Sequence, residues 1–226
     1  MSLSPAALAL LIAEEGLDRP DCWPGEESGM TLGLGDDAAF LTARQFKERW
    51  APYLTAAQLA ALLPGVGLRG DRARAFCRVL HARMTPPDNH TPPELQPVRI
   101  SREVALAVFK KWDEQEYIAQ TLATFKGSDQ LPADSFGALF SVVYNRGDSL
   151  EGERRREMRQ IRWAVTQRHW EQVPELIRSM RRLWPNNAGL RRRRDNEARL
   201  FSCGLSDTPH VYPAAPAGRE PPAGWV

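Results

Sequence analysis

The sequence predicts an α+β protein that is mostly helical and carries one small β-hairpin near its N-terminus. Three observations lead to this fold class. Helical patterning dominates the chain from Thr42 onward. Glycines and prolines between residues 20 and 35 exclude a helix there, while residues 30–37 alternate as a strand does. The chain has 226 residues, of which 42% are hydrophobic, so it can bury a substantial core.

The first helix is predicted between Ser4 and Gly16. Ser4 is a suitable N-cap, Pro5 suits the first helical position, and Gly16 favours a helix end. Further helices are expected at residues 42–53, 55–63, 71–83, 101–125, 132–145, 151–167, 170–183 and 189–203. The expected N-caps and stops of these helices are Thr55, Asp71 and Ser101, and Gly127 and Gly147.

The positions of the helix-breaking residues Pro and Gly predict the domain organisation. We expect one domain over residues 1–206, within which residues 42–130 form a candidate helical insertion. Residues 85–97 contain five prolines among polar residues and are predicted to be a loop, which divides either two domains or two lobes. Residues 207–226 are rich in Pro, Ala and Gly, so we expect an extended or disordered tail.

The charge of the chain is divided unevenly. The net charge is +2, but residues 1–150 carry 15 basic and 19 acidic side chains, whereas residues 151–200 carry 14 basic and 7 acidic ones. All the cations of the second stretch are Arg, including Arg191–Arg194 and a group at residues 154–162. This excess predicts an anionic partner. The aromatic residues fall at helical spacing and indicate core, with Trp112, Trp163, Trp170 and Trp184 among them, so a nucleic acid is not the expected partner.

Cysteine spacing and hydropathy exclude several classes of protein. The three cysteines form no CxxC pair and have no His at zinc-ligand spacing, so we expect neither a metal nor a disulfide framework. No apolar run reaches the length of a membrane span, and the apolar segment 6–13 lacks the basic start of a secretory signal. We therefore expect a monomer that is made in the cytoplasm without a signal peptide.

The first predicted helix ends in a candidate catalytic acid. Leu8, Leu11, Ile12 and Glu15 follow helical spacing, which predicts that Glu15 lies on an apolar stripe and that Glu14 points elsewhere. A carboxylate there is costly unless it is paired or protonated. A protonated carboxyl is what a general acid requires, although a structural Glu paired with an Arg fits the same pattern.

The predicted hairpin supplies a second carboxylate. Alternation places the apolar side chains on one face, and Thr31, two glycines and Asp37 on the other. Asp36 then faces the hydrophobic side or solvent. The glycines leave bare backbone that a flat ligand could approach, although a Gly-rich hairpin ending in a polar turn fits the pattern equally. Together with Glu15, a carboxylate beside a hydroxyl predicts glycosidic hydrolysis, in which Glu15 protonates the leaving oxygen and Asp37, helped by Thr31, activates water.

These residues carry a resemblance to a known family. Residues 10–37, with "EEG…PGEESGMTLGLGDD", resemble the start of the phage-type lysozyme superfamily, and most of all its pesticin-like muramidase branch. In that branch a Glu-Gly pair ends the first helix, and an Asp follows a Thr by six residues, which Glu15, Thr31 and Asp37 match. Relatives usually carry an aromatic residue before the catalytic Asp, where this chain has Asp36, so Asp36 is a second candidate base.

Two later segments extend the resemblance. "FSVVYNRG" at 140–147 resembles the central helix of the family, and "GLRRRRDNEARLF" at 189–201 resembles its closing Arg-rich helix. Tyr144 and Asn145 at the end of this central helix are candidate substrate-binding or supporting residues. Asn145 either binds a sugar acetamido group, which the match favours, or caps the helix before Gly147. The match also implies that Arg193 pairs with Glu15.

The resemblance implies a lysozyme-like fold with a catalytic cleft between lobes. It further implies a bacteriolytic muramidase that cleaves the β-1,4 bond between N-acetylmuramic acid and N-acetylglucosamine in peptidoglycan, inverting the anomeric carbon without a cofactor or metal. An antibacterial toxin delivered by a secretion machine and a phage endolysin both fit, and the first setting adds an immunity protein or a secretion-system carrier as partners. The alternatives are a catalytically inactive lysozyme-like module that binds wall glycan and a purely helical interaction protein.

Overall fold

The computed structural model describes residues 1–16, 20–25, 27–84 and 98–206. It is mostly helical and contains one two-stranded antiparallel sheet, which confirms the α+β class at this level. The predicted loop at 85–97 and the predicted tail at 207–226 lie outside the described residues. Within the described ranges, every helix is too short or too polar to cross a bilayer.

Ten α-helices and two strands make up the regular structure of the described residues. The helices are α1 (Pro5–Glu15), α2 (Ala43–Trp50), α3 (Ala56–Leu62), α4 (Gly70–Met84), α5 (Arg102–Val108), α6 (Glu114–Thr124), α7 (Ala133–Arg146), α8 (Arg156–Thr166), α9 (Val173–Ser179) and α10 (Ala188–Leu205). Strands β1 (Thr31–Leu32) and β2 (Asp36–Asp37) pair antiparallel in the register Thr31 to Asp37 and Leu32 to Asp36.

The chain divides into two compact units. Of the described residues, the first unit contains 1–14 and 113–206, and the second contains those between 15 and 112. In the first unit, α10 packs against α7 and α9, α8 packs against α9, and α6 packs against α7. Helix α1 approaches α7 closely, because a Cβ added to Gly137 would lie 2.2 Å from the Cβ of Ala7. The buried apolar side chains of this unit include Leu10, Leu11, Phe136, Leu139, Ile161, Ile177 and Phe201.

The second unit contains the hairpin together with α2 to α5. The turn between β1 and β2 requires glycine at Gly33, where φ is +64° and a Cβ would lie 3.2 Å from the Trp50 ring and 3.3 Å from Ala105. The backbone amide of Ala38 then donates to the carbonyl of Met30 at 2.9 Å. The buried apolar side chains of this unit include Met30, Leu32, Leu34, Phe46, Trp50, Leu62, Cys77 and Phe109.

The helices begin at the N-cap residues that the sequence predicts, with one exception. Ser4 Oγ accepts from the amide of Ala7, and the expected caps Thr55 and Ser101 accept from the amides three residues later. Asp71 was expected as an N-cap, but α4 begins at Gly70, so Asp71 lies in the first turn. An acidic side chain there still favours the positive end of the helix.

Two predicted helices are interrupted. Residues 101–125 form α5 and α6 rather than one helix, because the π-helix Phe109–Asp113 separates them. The wide turn lets both Phe109 and Glu114 become buried, and Glu114 Oε1 accepts from the backbone amide of Leu3 at 2.8 Å. Residues 170–183 contain only the short α9, with a 3-10 turn on each side. A 3-10 turn at residues 153–155 likewise shortens the predicted helix 151–167 to α8.

Candidate active site

Asp37 is held in one orientation by the backbone around it. Its Oδ1 accepts from the amides of Ala39 at 2.8 Å and Gly29 at 3.0 Å, and Oδ2 accepts from Gly29 at 3.2 Å. Through Ala39, Asp37 caps the 3-10 turn Ala38–Phe40. A Cβ on Gly29 would lie 2.6 Å from Oδ1, so only glycine permits this approach. The carboxylate is half-buried, and its position is fixed by its own hairpin.

Thr31 lies directly across the two-stranded sheet from Asp37. The residue is only 4% exposed, and its hydroxyl donates to the carbonyl of Gly29 at 3.4 Å. Gly29 therefore contacts both side chains, by its amide and by its carbonyl. The expectation that the glycines leave space for a ligand is wrong at Gly33, because the protein's own Trp50 and Ala105 occupy that space.

Asp36 points to the other side of the hairpin, as alternation predicts. Its Oδ1 accepts from Arg49 Nη1 at 2.9 Å, and its Oδ2 accepts from Trp50 Nε1 at 2.6 Å. Burial raises the pKa of this carboxyl although Arg49 and Trp50 act in the opposite direction. Of the two adjacent carboxylates, Asp37 is the half-exposed one, whereas both oxygens of Asp36 bind buried protein groups.

Glu15 is the last residue of α1 and is half-buried. The most buried stripe of this helix differs from the expected one. Ala7, Leu10 and Leu11 are fully buried, whereas Leu8 and Ile12 are only half-buried. The expected stripe is therefore wrong by a rotation of about one residue, because Ala7 must fit against Gly137 in a close helix crossing.

Glu14 follows the buried stripe of α1 rather than pointing away from the core. Its Oε1 accepts from Asn196 Nδ2 on α10 at 2.7 Å. This hydrogen bond between the end of α1 and the middle of α10 explains how a half-buried carboxylate is accommodated there. Glu14 thus has an identifiable structural contact, and it provides a comparison for Glu15 on the same helix turn.

A buried ionic network lies where α10 crosses α7. Arg193 Nε donates to Glu197 Oε1 at 3.1 Å, Arg194 Nη2 donates to the same oxygen at 2.9 Å, and Ser141 Oγ donates to it at 2.7 Å. Arg194 also donates to Asn145 Oδ1 at 3.0 Å. The resemblance names Arg193 and Asn145, but it misses Glu197 and Ser141, which bind Arg193, and Arg194, which binds Asn145. The i, i+4 spacing of Arg193 and Glu197 on a helix was the available signal.

Arg193 is consequently fixed from two helices. Its guanidinium also contacts the backbone and the hydroxyl of Ser141, each at 3.2 Å. The expected pair between Arg193 and Glu15 stays a prediction. Tyr144, the neighbour of Asn145, lies in an aromatic cluster with Tyr117 at 4.5 Å and Phe140 at 5.9 Å between ring centroids. Its ring is therefore largely committed to packing.

Helix α8, which carries several arginines, also contains an exposed aromatic residue. Trp163 was expected in the core but is 55% exposed, and its ring stacks on His169. The expectation fails because α8 buries the positions of Ile161 and Val165 instead. An open cavity of about 330 Å³ adjoins Trp163. Its lining residues are Arg156, Arg159, Gln160, Trp163, Gln172 and Leu176.

Metal and partner signals are limited in the described residues. No group of three or more His, Cys, Asp or Glu within them is placed to hold a metal ion.

The segment that precedes the hairpin has two polar contacts of its own. Asp21 and His81 form a hydrogen bond of 2.9 Å. The half-buried Trp23 donates to the Ser28 carbonyl at 2.9 Å.

The chain was compared with known proteins. No protein-family model, curated protein or solved structure matches it. The resemblance to phage-type lysozymes therefore depends on the motifs of the sequence alone.

Proposed function

We propose that this chain is a peptidoglycan hydrolase, a muramidase that cleaves the β-1,4 bond between N-acetylmuramic acid and N-acetylglucosamine. One observation carries the proposal. Asp37 is a half-exposed carboxylate, oriented by three hydrogen bonds to two backbone amides and paired across the sheet with Thr31. Glycosidases require such a fixed carboxylate on one side of the scissile bond and a second carboxyl as acid.

The proposed mechanism gives Glu15 and Asp37 different tasks. Glu15, at the end of α1, protonates the glycosidic oxygen as the bond breaks. Asp37 orients a water molecule and removes its proton while water attacks the anomeric carbon. In an inverting enzyme the two carboxyl groups are about 6.5–9.5 Å apart, which leaves room for this water.

The proposed setting is the bacterial cell wall. A bacteriolytic muramidase of this kind would act as an antibacterial toxin or secreted effector, or as a phage endolysin. The first setting would add an immunity protein or a secretion-system carrier to its partners. Peptidoglycan carries carboxylates, so the Arg-rich second half of the chain would favour encounter with it.

The decisive experiment is Glu15→Gln in the full chain, assayed for release of reducing sugars from purified peptidoglycan. We expect a loss of at least about a hundredfold in rate, because a general acid contributes on that order. Glu14→Gln is the matched control, since it removes the same charge one residue earlier, and it should retain activity. Equal activity of Glu15→Gln and the unaltered chain would overturn the acid assignment.

Product analysis tests the reaction itself. Mass spectra of the soluble fragments should contain muramic acid at the reducing end, and the first product should be the α-anomer if the reaction inverts. Fragments with new amino or peptide termini instead would identify an amidase or a peptidase and contradict the proposal.

A second candidate is a catalytically inactive lysozyme-like module that binds wall glycan. Two observations favour it: Thr31 is buried, and Asp37 already caps a 3-10 turn. Sedimentation with insoluble peptidoglycan separates the two candidates. A module would co-sediment without releasing sugar, whereas a muramidase would dissolve the pellet.

A further inference from the structure

Two guanidinium groups lie against one indole ring in the first unit. The Cζ atom of Arg146, the last residue of α7, lies 4.9 Å from the Trp184 ring centroid. The Cζ atom of Arg194 on α10 lies 5.5 Å from the same ring. We call Arg146, Arg194 and Trp184 the Trp184 cluster. Cation–π attraction holds each guanidinium at the ring but does not neutralise its charge.

The two arginines differ in how their charges are compensated. Arg194 is fully buried and donates to Glu197 and Asn145. Arg146 has no carboxylate within ion-pair distance among the described residues. Its Nη2 donates to the backbone carbonyl of Arg154, while its Nε is buried and has no hydrogen-bond partner in the described part of the chain.

The surroundings of Arg146 disfavour its charge. Burial, together with the nearby guanidinium groups of Arg155 and Arg194, lowers the pKa of Arg146 to about 10. The carboxylate that acts on it from further away, Glu157, is itself hydrogen-bonded to Arg182 and Arg156. A half-buried cation without a counter-ion costs free energy, and such uncompensated charges concentrate at binding sites.

We propose that Arg146 binds a carboxylate of the wall glycan beside the half-buried Trp184 ring, while the fully buried Arg194 adds positive charge without touching the ligand. The planar guanidinium matches a carboxylate, and an anion beside it would offset the repulsion from Arg155 and Arg194. The choice of a glycan as the carrier of this carboxylate rests on the proposed function.

The neighbour of Arg146 supports this choice of ligand. Asn145 is the residue expected to bind a sugar acetamido group, and its Oδ1 is oriented by Arg194. N-Acetylmuramic acid carries an acetamido group and a lactyl carboxylate on adjacent ring carbons, whereas N-acetylglucosamine lacks the carboxylate. A site that offers both an amide and an uncompensated cation would therefore distinguish the first sugar from the second.

The test uses the unaltered full chain with free N-acetylmuramic acid, which has no glycosidic bond to cleave, and with its methyl ester. Binding is measured by calorimetry and by tryptophan fluorescence. We expect the acid to bind about tenfold or more tightly than the ester, since a hydrogen bond between charged groups is lost in the ester. Equal affinities for acid and ester would overturn the proposal.

Variants locate the site. Arg146→Gln should abolish the preference for the acid, while Arg146→Lys should retain part of it. Arg199→Gln is the matched control, because it removes a charge from the exposed face of α10 and should leave the preference unchanged. If Arg146→Gln retains the preference, the proposal is wrong. If inorganic phosphate competes as strongly as N-acetylmuramic acid, the site binds oxyanions in general and the assignment to a glycan carboxylate is wrong.

Stability and activity provide independent readouts. Arg146→Gln should melt at the same temperature as the unaltered chain or higher, because it removes an uncompensated, half-buried charge. A lower melting temperature would indicate a structural role instead. The outcome is separate from that of the proposed function. Absence of sugar release from peptidoglycan would contradict the muramidase, while the preference for acid over ester would still be measured.

Discussion

Trp50 Nε1 donates a 2.6 Å hydrogen bond to Asp36 Oδ2, and this bond fixes which side of the hairpin each of the two adjacent aspartates occupies. Arg49, the preceding residue on α2, binds the other oxygen at 2.9 Å. With Asp36 directed to α2, the alternation of the strand directs Asp37 the opposite way. A structural carboxylate thus orients its candidate catalytic neighbour.

Asp36→Asn should destabilise the fold while leaving the chemistry of Asp37 in place. The amide has one acceptor oxygen for the two donors Arg49 and Trp50, so one of them would lose its hydrogen bond, and we expect a loss of about 1–3 kcal/mol in the free energy of unfolding. Urea denaturation followed by circular dichroism measures it. An unchanged unfolding midpoint would contradict the role assigned to Asp36.

The loss caused by Asp36→Asn should depend on pH. The pKa of Asp36 is raised in the folded state, mainly by burial, so the folded chain retains the proton at pH values where the unfolded chain has lost it. Its contribution to stability is therefore largest below the unfolded value of about 3.8 and declines as pH rises through the raised folded value. The difference in free energy of unfolding between the unaltered chain and Asp36→Asn should narrow from pH 4 toward pH 7. A difference that widens over this range would contradict the raised pKa of Asp36.

Asp37→Asn should reduce activity far more than stability. If Asp37 is the base, its amide cannot accept a proton from water, and the rate on peptidoglycan should fall by about 10²–10⁴. The cap on Ala39 is partly retained because the amide oxygen still accepts a hydrogen bond, so the cost in stability should be about 1 kcal/mol. Sugar release by Asp37→Asn, compared with Asp36→Asn under conditions where both are folded, decides between the two candidate bases.

Gly29→Ala should distort the support of Asp37 directly. The new Cβ would lie 2.6 Å from Oδ1 of Asp37 and 2.7 Å from the Cβ of Ala39, which is closer than van der Waals contact permits. We expect a loss of about 1–3 kcal/mol, measured by thermal unfolding. Gly189→Ala is the control. Gly189 lies in the first turn of α10, where a new Cβ would lie 3.4 Å from Asn187 Oδ1, so the change should be neutral or stabilising.

The sequence correctly predicted those structural elements that depend on interactions between residues close together in the chain. Helix caps such as Thr55 and Ser101 bind amides only three residues away, and the hairpin turn depends on its own glycines. Both kinds of feature can therefore be predicted from a short stretch of sequence. The π-helix Phe109–Asp113 does not follow from local patterning, because it brings Phe109 and Glu114 into contacts that are distant in sequence.

The candidate site likewise combines features that the sequence predicts with features that it does not. Alternation along one strand was sufficient to predict that the side chains of Asp36 and Asp37 lie on opposite faces of the hairpin. The partners of Arg193 required the crossing of α7 and α10, since Ser141 lies 52 residues away in sequence. Side-chain identities alone do not establish such a contact.

Glu197→Gln should be among the most destabilising single changes in the first unit. Glu197 is fully buried and accepts from Arg193, Arg194 and Ser141, so the neutral amide would leave two buried guanidinium groups without their shared carboxylate. We expect a loss of about 3–5 kcal/mol, measured by urea denaturation. Ser141→Ala removes one neutral donor from the same oxygen and should cost less, about 1–3 kcal/mol. The reverse order would contradict the ionic nature of the network.

Cys77 should be unreactive in the folded chain although the chain has three free thiols. Burial, with Asp21 and Cys22 nearby, raises the pKa of Cys77 to about 12, so at pH 8 only about 10⁻⁴ of it is thiolate, the reactive form. Iodoacetamide followed by mass spectrometry should therefore add at most two groups to the native chain, on the half-buried Cys22 and Cys203, and three in urea. Cys77→Ser should leave the native count unchanged, whereas Cys203→Ser should lower it. Rapid addition of three groups to the native chain would show that α4 opens on the labelling timescale or that the thiol is not enclosed.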